Sequence, residues 1–377
     1  MLSITSRIRG ILQVRPRDFA VELAKELEII NGFKQQSHLA SYVGWTGQGN
    51  LGDEVLLQSH QLLFKDFSVV PYRPESRFQI KTQAKFQSSG FKLGFLGGGT
   101  LINQSPAWLR RIQELQLRGL PMFCMGAGVT TEQFRPAFER TSIPEWIQVL
   151  ETMEFVGVRG PFSQQALADF GYAAPILGDP AIAFAPFMSP LPASRKVIGF
   201  NFGISKKTLL LPNSDGFLPN VVKLIKALIE EGKEVILLPV CAEDVASNKA
   251  VLSIVNNGAC TMRVCYESLD DYNSALLECG LFIGQKLHST VLATILRIPS
   301  IMIEYQPKCR DYMASIEMED YVVKTSVFEV NAILDKLQNL EDHYFSVRAK
   351  LENQVAKFRS LQFAKAKQIS EQVFANG

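Results

Sequence analysis

The sequence predicts an α/β protein built as two Rossmann-like domains facing a central cleft. Three observations carry that expectation. Short apolar runs ending in glycine recur along the chain, as in KLGFLGGGT, PMFCMGAG and LFIGQKLHS. They are apolar throughout rather than alternating, as strands are in a parallel sheet covered on both faces. A helical repeat of apolar residues follows most of them. One stretch, APFMSPLPASRK at 185–196, interrupts the series with three prolines and no periodicity, and reads as a linker. The 377 residues suit two domains of roughly 150 residues each.

Taken in order, Phe19, Leu23, Leu27 and Ile30 step near helical spacing and predict a helix over Pro16 to Gly32. The strand SYVGW runs to Trp45, the loop TGQGNLGDE follows, and EVLLQSHQLLF is a helix. KLGFLGGGT is strand and loop, and SPAWLRRIQELQLRG is a helix with Pro106 in its first turn. PMFCMGAG and EFVGVRG are strands, PFSQQALADFG is a helix closed by Gly171, and APILGDP is a short strand and turn. The second series reads VIGFNFG, FLPNVVKLIKALIEEG, EVILLPV, AEDVASNKAVLSIVNNG and DYNSALLECG. Its clearest βαβ unit is LFIG, LHSTVLATILR and SIMIEY. These runs predict an N-terminal α/β domain over 1–187, a C-terminal one over 196–326, and a helical segment over 327–377. In that last segment Ile333, Leu337, Leu340, Tyr344, Val347, Leu351, Val355 and Phe358 form a stripe that packs across the domains, on a long helix or a broken helix pair.

The composition excludes more than it identifies. A formal charge of +2, from 39 Lys and Arg against 37 Asp and Glu, argues against a dedicated nucleic-acid binder. The six cysteines form no CxxC pair and have no histidine at metal-site spacing, so buried free thiols and no metal are expected. The N-terminus lacks a signal-peptide core, and no run of eighteen uncharged apolar residues occurs. The expectation is a cytoplasmic protein without a transmembrane segment; peripheral contact with the inner face of a membrane and homo-oligomerisation stay open.

Candidate site residues stand where predicted strands meet helices. Ligands in open α/β sheets bind beyond the carboxyl ends of the strands. Gly47, Gly49 and Gly52 have GxGxxG spacing. However, Asp53 and Glu54 follow at once, where they cap a helix and would repel a pyrophosphate. Asp53 reads either as that cap or as a group that orients or deprotonates a substrate hydroxyl. Gly98 and Gly99, within GGGT, give close backbone approach, and Asn103 in the same loop can bond sugar hydroxyls. Arg159 ends a strand, where a guanidinium can meet a phosphate or carboxylate; an ion pair to Asp179 is the structural alternative. His288 lies in a first helical turn behind Lys286, a pairing that suits an anion. Glu304, Tyr305 and Lys308 follow the next strand, with a helix cap or a lysine partner as the plainer role for Glu304.

In this order the residues resemble the polysaccharide pyruvyl transferase family. NLGD (Asn50–Asp53), FLGGGTLI (Phe95–Ile102), VRGPFS (Val158–Ser163), GDPA (Gly178–Ala181), KLHSTVLA (Lys286–Ala293) and PSIMIEYQPK (Pro299–Lys308) carry the likeness. The resemblance implies a GT-B-like architecture. It also implies transfer of a pyruvyl group from phosphoenolpyruvate, the co-substrate, to hydroxyls of a polysaccharide or lipid-linked sugar, with no further cofactor. Arg159, Lys286, Leu287, His288 and Lys308 would then bind the donor, and Asn50, Asp53, Gly98, Gly99, Asn103 and Asp179 the acceptor. His288 would exchange protons, with Arg159, Asp53 and Glu304 as further catalytic candidates. Two positions depart from the family pattern: Lys286 replaces an arginine, losing the bidentate fork, and Gly160 stands where an acidic residue is usual. A nucleotide-sugar glycosyltransferase and a non-catalytic carbohydrate-binding homologue are the alternatives. The GxGxxG spacing alone is poor support for a nicotinamide oxidoreductase.

Overall fold

The computed structural model describes residues 38–72, 91–130, 142–188, 190–203 and 216–375; the expected helix from Pro16 to Gly32 lies outside them. The first lobe is a five-stranded sheet in the order β2-β1-β3-β4-β5, with every pairing parallel. Its strands are β1 (Leu39–Val43), β2 (Ser68–Pro71), β3 (Phe91–Leu96), β4 (Met122–Ala127) and β5 (Phe155–Val158). Helices α1 (Leu51–Leu63), α2 (Pro106–Leu117), α3 (Ile143–Leu150) and α4 (Pro161–Ala168) follow β1, β3, β4 and β5.

The second lobe is a six-stranded parallel sheet in the order β11-β10-β9-β6-β7-β8. It contains β6 (Ser194–Asn201), β7 (Glu234–Leu237), β8 (Cys260–Met262), β9 (Cys279–Gly284), β10 (Ser300–Glu304) and β11 (Val322–Lys324). Its helices are α5 (Phe217–Glu230), α6 (Ala242–Val255), α7 (Leu269–Leu277), α8 (Leu287–Ile295) and α9 (Pro307–Ser315). The strand order reverses between β1 and β3 in the first sheet and between β6 and β9 in the second. The crevice beyond those strand ends is where open α/β sheets take ligands.

Three short edge strands, β2, β8 and β11, were not expected. With three or four residues each and one neighbour, they carry little apolar signal. The APILGDP run makes only a bridge at Ile176, then the 3₁₀ turn Pro180–Phe184. The linker is shorter than expected, because β6 already begins at Ser194. Of the cysteines, five are buried, Cys265 is half-buried, and all are free thiols.

The C-terminal segment is a helix pair broken at His343: α10 (Val330–Asp342) and α11 (Tyr344–Ala375). Every residue of the expected apolar stripe is buried. Along α11 the partners change. Tyr344, Val347, Leu351, Val355 and Phe358 pack into the core of the second lobe, whereas Ala366, Ile369 and Val373 join Ala40, Leu93 and Phe95 of the first. Between these sets, Gln362 Nε2 donates to the carbonyls of Leu177 and Asp179 at 3.0 and 2.9 Å. One helix thus packs on both sheets. No helix among the described residues is long and apolar enough to cross a membrane.

Candidate active site

The site gathers residues from the two reversal points, after β1 and β9, and from the ends of β5 and β10. Helix α1 starts there because Asn50 caps it: the Asn50 side chain accepts from Gly52 N at 3.1 Å. Asp53 is therefore not the cap, as the sequence suggested, but a half-buried residue of the first turn. The same segment is fastened to the opposite lobe. Leu51 N donates to Val240 O at 3.0 Å, and Asn50 bridges Cys241. Gly52 then lies directly on the imidazole of His288, and a Cβ there would collide with the ring. This close approach explains the glycine better than a phosphate loop does.

His288 occupies the first turn of α8, whose N-cap is Lys286 and whose first residue, Leu287, is buried in the core. Its Nε2 faces Asp179 Oδ2 at 3.8 Å, and neither atom has a hydrogen-bond partner. Asp179 is fully buried as the cap of the 3₁₀ turn, where its Oδ1 accepts from Ala181 N at 3.1 Å. Burial pushes its carboxyl up to about 6, against the lowering effect of Arg159. Burial, with Lys308 and Arg159 nearby, pushes the His288 imidazole down to about 3. Both shifts favour the uncharged form. A neutral imidazole therefore faces a carboxyl that holds a proton more readily than it would in water.

Two of the three cations, Arg159 and Lys286, are placed against acids. Arg159 is fully buried, and its structural partner is Asp311 on α9, not Asp179: Nε and Nη2 donate to Asp311 Oδ2 at 3.2 and 3.1 Å. The same carboxylate accepts from Phe162 N and Ser163 N at 3.0 Å and from Ser163 Oγ at 2.7 Å. Gly160 is required by this junction, since a Cβ would strike the Asp311 backbone; that accounts for a position where the family has an acid. Arg159 Nη1 keeps no hydrogen-bond partner.

Lys286 Nζ lies 3.4 Å from Asp244 Oδ1 on α6. Burial opposes its charge most, but Asp244, Tyr305 and Cys241 together outweigh it and hold the ammonium above the usual lysine range. Lys308 stands over the Tyr305 ring at 5.0 Å, and burial lowers its pKa while Asp53 opposes that shift. Sequence reasoning missed Asp244 and Asp311. Their partners lie 42 and 152 residues away along the chain, and no local spacing announces such pairs.

Other expected residues are engaged elsewhere. Arg310 Nη2 donates to both carboxylate oxygens of Glu304 at 2.9 and 2.8 Å, so its partner is an arginine rather than a lysine. Asn103 donates to Thr100 O at 2.6 Å and accepts from Ser105 N at 2.7 Å, within its own loop. Gly98 packs on Leu56 of α1, and Gly99 takes a φ of +88° that favours glycine. The structure thus brings Asp53, Arg159, Asp179, Lys286, His288 and Lys308 into one cluster between the lobes.

The family model described as polysaccharide pyruvyl transferase matches residues 50–307. No curated protein matches the sequence. Among solved structures, the chain is similar to the UDP-GlcNAc 2-epimerase from Neisseria meningitidis bound to UDP-GlcNAc. That likeness has a TM-score of 0.53 at 8% identity and covers 90% of this chain and 100% of that one. It is also similar to the UDP-GlcNAc 2-epimerase from Methanocaldococcus jannaschii, with a TM-score of 0.51, 8% identity and coverage of 80% and 92%. At such identities the likeness is one of fold: two parallel-sheet lobes in a GT-B-like arrangement.

Proposed function

Because this chain belongs to the polysaccharide pyruvyl transferase family, we propose that its cleft transfers a pyruvyl group from phosphoenolpyruvate to hydroxyls of a polysaccharide or lipid-linked sugar, forming a ketal. The observation that carries this reading is the unsatisfied Asp179–His288 pair with Lys308 beside it, within the matched segment. Phosphoenolpyruvate brings a phosphate and a carboxylate. Lys308 and the unpartnered Nη1 of Arg159 are the groups left to meet them, with Lys286 once donor oxygens compete with Asp244.

The chemistry needs an acid for the methylene carbon and a base for the attacking hydroxyl. A proton held between Asp179 and His288 passes to C3 of the donor, and C2 becomes electrophilic. A sugar hydroxyl attacks C2 and yields its proton to Asp53, the half-buried acid on the first-lobe side. Phosphate then leaves with its C–O electron pair, stabilised by the cations, and a second hydroxyl closes the ketal as its proton goes to phosphate. Asp53 returns its proton through solvent to the Asp179–His288 pair, which is restored, so that in sum one proton ends on C3 and one on phosphate.

A second reading is a nucleotide-sugar enzyme of the same architecture. It draws on the fold shared with enzymes that bind UDP-GlcNAc and on the pairing of Arg159 and Lys286 with carboxylates, which leaves the cleft less cationic than a dianionic donor would favour. Calorimetric titration with phosphoenolpyruvate and with a nucleotide-sugar panel separates the two. Phosphate release from phosphoenolpyruvate that depends on an added sugar supports pyruvyl transfer. Binding of a UDP-sugar with no response to phosphoenolpyruvate overturns it.

A further inference from the structure

The carboxyl of Asp179 faces His288 Nε2 at 3.8 Å, yet among the described residues nothing outside its own turn hydrogen-bonds it. Oδ1 accepts from Ala181 N within that turn, and Oδ2 has no hydrogen-bond partner. Its place is therefore set through its backbone. That backbone is seated between two elements. On one side is Gly126, near the end of β4, where a Cβ would stand 2.3 Å from Gly178 O. On the other is α11: a Cβ on Gly178, whose φ is +75°, would stand 2.8 Å from the Phe358 ring. Gln362, about one turn further along α11, closes the seat. Its Nε2 donates to Leu177 O at 3.0 Å and to Asp179 O at 2.9 Å, the carbonyls on either side of Gly178.

Gln362 is an unexpected residue for its place. It is fully buried, and Val355, Phe358, Ala366 and Ile369, buried before and after it on the helix, are apolar. Its Oε1 has no hydrogen-bond partner, so the amide is buried at a cost. A leucine of similar size would carry no such cost. What it would lack is the pair of donors, and both are spent on the turn that carries Asp179. The helix also reaches the other half of the pair. Helix α8, with His288 in its first turn, packs on α11 and on the same 3₁₀ turn, Pro180–Phe184. The elements that carry Asp179 and His288 thus both rest on α11.

We infer that Gln362 is a positioning residue of the cleft: its amide holds the Leu177–Asp179 backbone so that the Asp179 carboxyl meets His288. This role rests on the reading of Asp179 and His288 as the proton-handling pair, but not on the identity of donor or acceptor. Without the amide, Asp179 O keeps its bond from Ile182 N, but Leu177 O loses the one from Gln362. A buried carbonyl left so draws the turn toward water or another donor. A displacement of about 1 Å at a reacting group is enough to cost up to about 10²-fold in rate.

The test uses the full chain and two separate readouts. The first needs no substrate. The chain has four histidines, so ¹⁵N-histidine labelling gives few imidazole signals, and His288→Gln identifies those of His288. Gln362→Leu should move the His288 signals and bring its titration from about 3 toward the ordinary 6.5, while exposed His343, just before α11, stays unchanged. The second readout is sugar-dependent phosphate release from phosphoenolpyruvate. Gln362→Leu should lower kcat about tenfold and leave KM for phosphoenolpyruvate within about twofold. Placed in Asp179→Asn, the same substitution should cost less than about twofold more, because it acts through the group already removed. Equal losses in both backgrounds, or His288 signals that stay as in the parent, overturn the positioning role. A His288 response in a protein that never consumes phosphoenolpyruvate keeps this inference and rejects the pyruvyl reading. Urea unfolding of each variant confirms that it is folded. If the leucine variant is not, Gln362→Met, a flexible chain of similar volume, takes its place. Unfolding of both assigns Gln362 to the fold rather than to the turn, and also overturns the inference.

Discussion

Two buried carboxylates cross from one lobe to the other, and they are treated in opposite ways. Asp311 of the second lobe enters the first at Arg159, and both its oxygens accept hydrogen bonds from the guanidinium, two backbone N–H groups and the Ser163 hydroxyl. Asp179 of the first lobe faces His288 of the second across 3.8 Å, with the two nearest atoms unpaired. The first junction is a latch whose polar groups are almost all satisfied. The second carries polar groups whose burial is costly because they are left without hydrogen-bond partners. Full satisfaction holds the lobes together at Asp311; its absence at Asp179 and His288 is what the proposed transfer chemistry draws on.

The largest effect should come from breaking the latch. Asp311→Ala leaves the Arg159 charge buried without a counter-ion, and removing one member of a buried pair costs about 3–5 kcal/mol. Urea unfolding should show that loss, with a large fall in midpoint. Asp311→Asn, which keeps acceptor and shape, should lose less. An alanine variant as stable as the parent would contradict the latch.

The second junction should respond in the reverse sense. Asp179→Asn and His288→Ala should keep most of the stability and lose about 10²-fold or more in transfer rate, the usual range for removing a positioned acid or base. If either variant transfers at the parental rate, proton handling by this pair is wrong. If both simply unfold, the contrast between the junctions collapses.

Much of this architecture was legible in the sequence. Apolar runs such as LGFL and LFIG announce central parallel strands, because a strand covered on both faces has no polar side. The edge strands β2, β8 and β11 escape for the opposite reason, being short and covered less completely. At the site, local order identified which residues gather, since Asn50, Arg159, Asp179 and His288 all sit at element ends. It could not identify their partners. Asp311 looks like any acid inside a helix, and only the folded chain brings it to Arg159. The glycines misled for a physical reason: Gly52 fell in a phosphate-loop spacing and Gly160 read only as a departure from the family pattern, yet they make room for His288 and for Asp311.

Acidity sharpens the comparison further. In the native chain Asp179 is raised to about 6 from an ordinary carboxyl value of 3.8, so burial of its anion costs stability above pH 6. The stability tied to Asp179 is full below about pH 4 and is lost as pH rises through 6. His288 has the opposite sign. Lowered to about 3 from 6.5, its contribution is full above 6.5 and is lost as pH falls toward 3. Relative to the parent, Asp179→Asn should therefore gain stability as pH is raised from 5 to 8, and His288→Gln should gain as pH is lowered from 7 to 5. Each change should amount to about 1–3 kcal/mol, read from denaturant midpoints across that range. Parallel pH curves for the parent and both variants would sink the assignment.

The smallest effect belongs to a third carboxylate. Glu304 ends β10 as Arg159 follows β5, and both its oxygens accept from Arg310. Its partner is 40% exposed, however, so water screens the pair that burial would have strengthened at Asp311. Glu304→Gln keeps one oxygen for Arg310 and should cost about 1 kcal/mol or less. The transfer rate should stay within about twofold of the parent, because this carboxylate faces Arg310 rather than the His288 cluster; proton abstraction by Glu304 would instead cost 10²-fold or more. Measuring rate and midpoint on this one variant separates pairing from burial. Asp311 and Glu304 are both bound by arginine, and only the Asp311 pair is shut away from water.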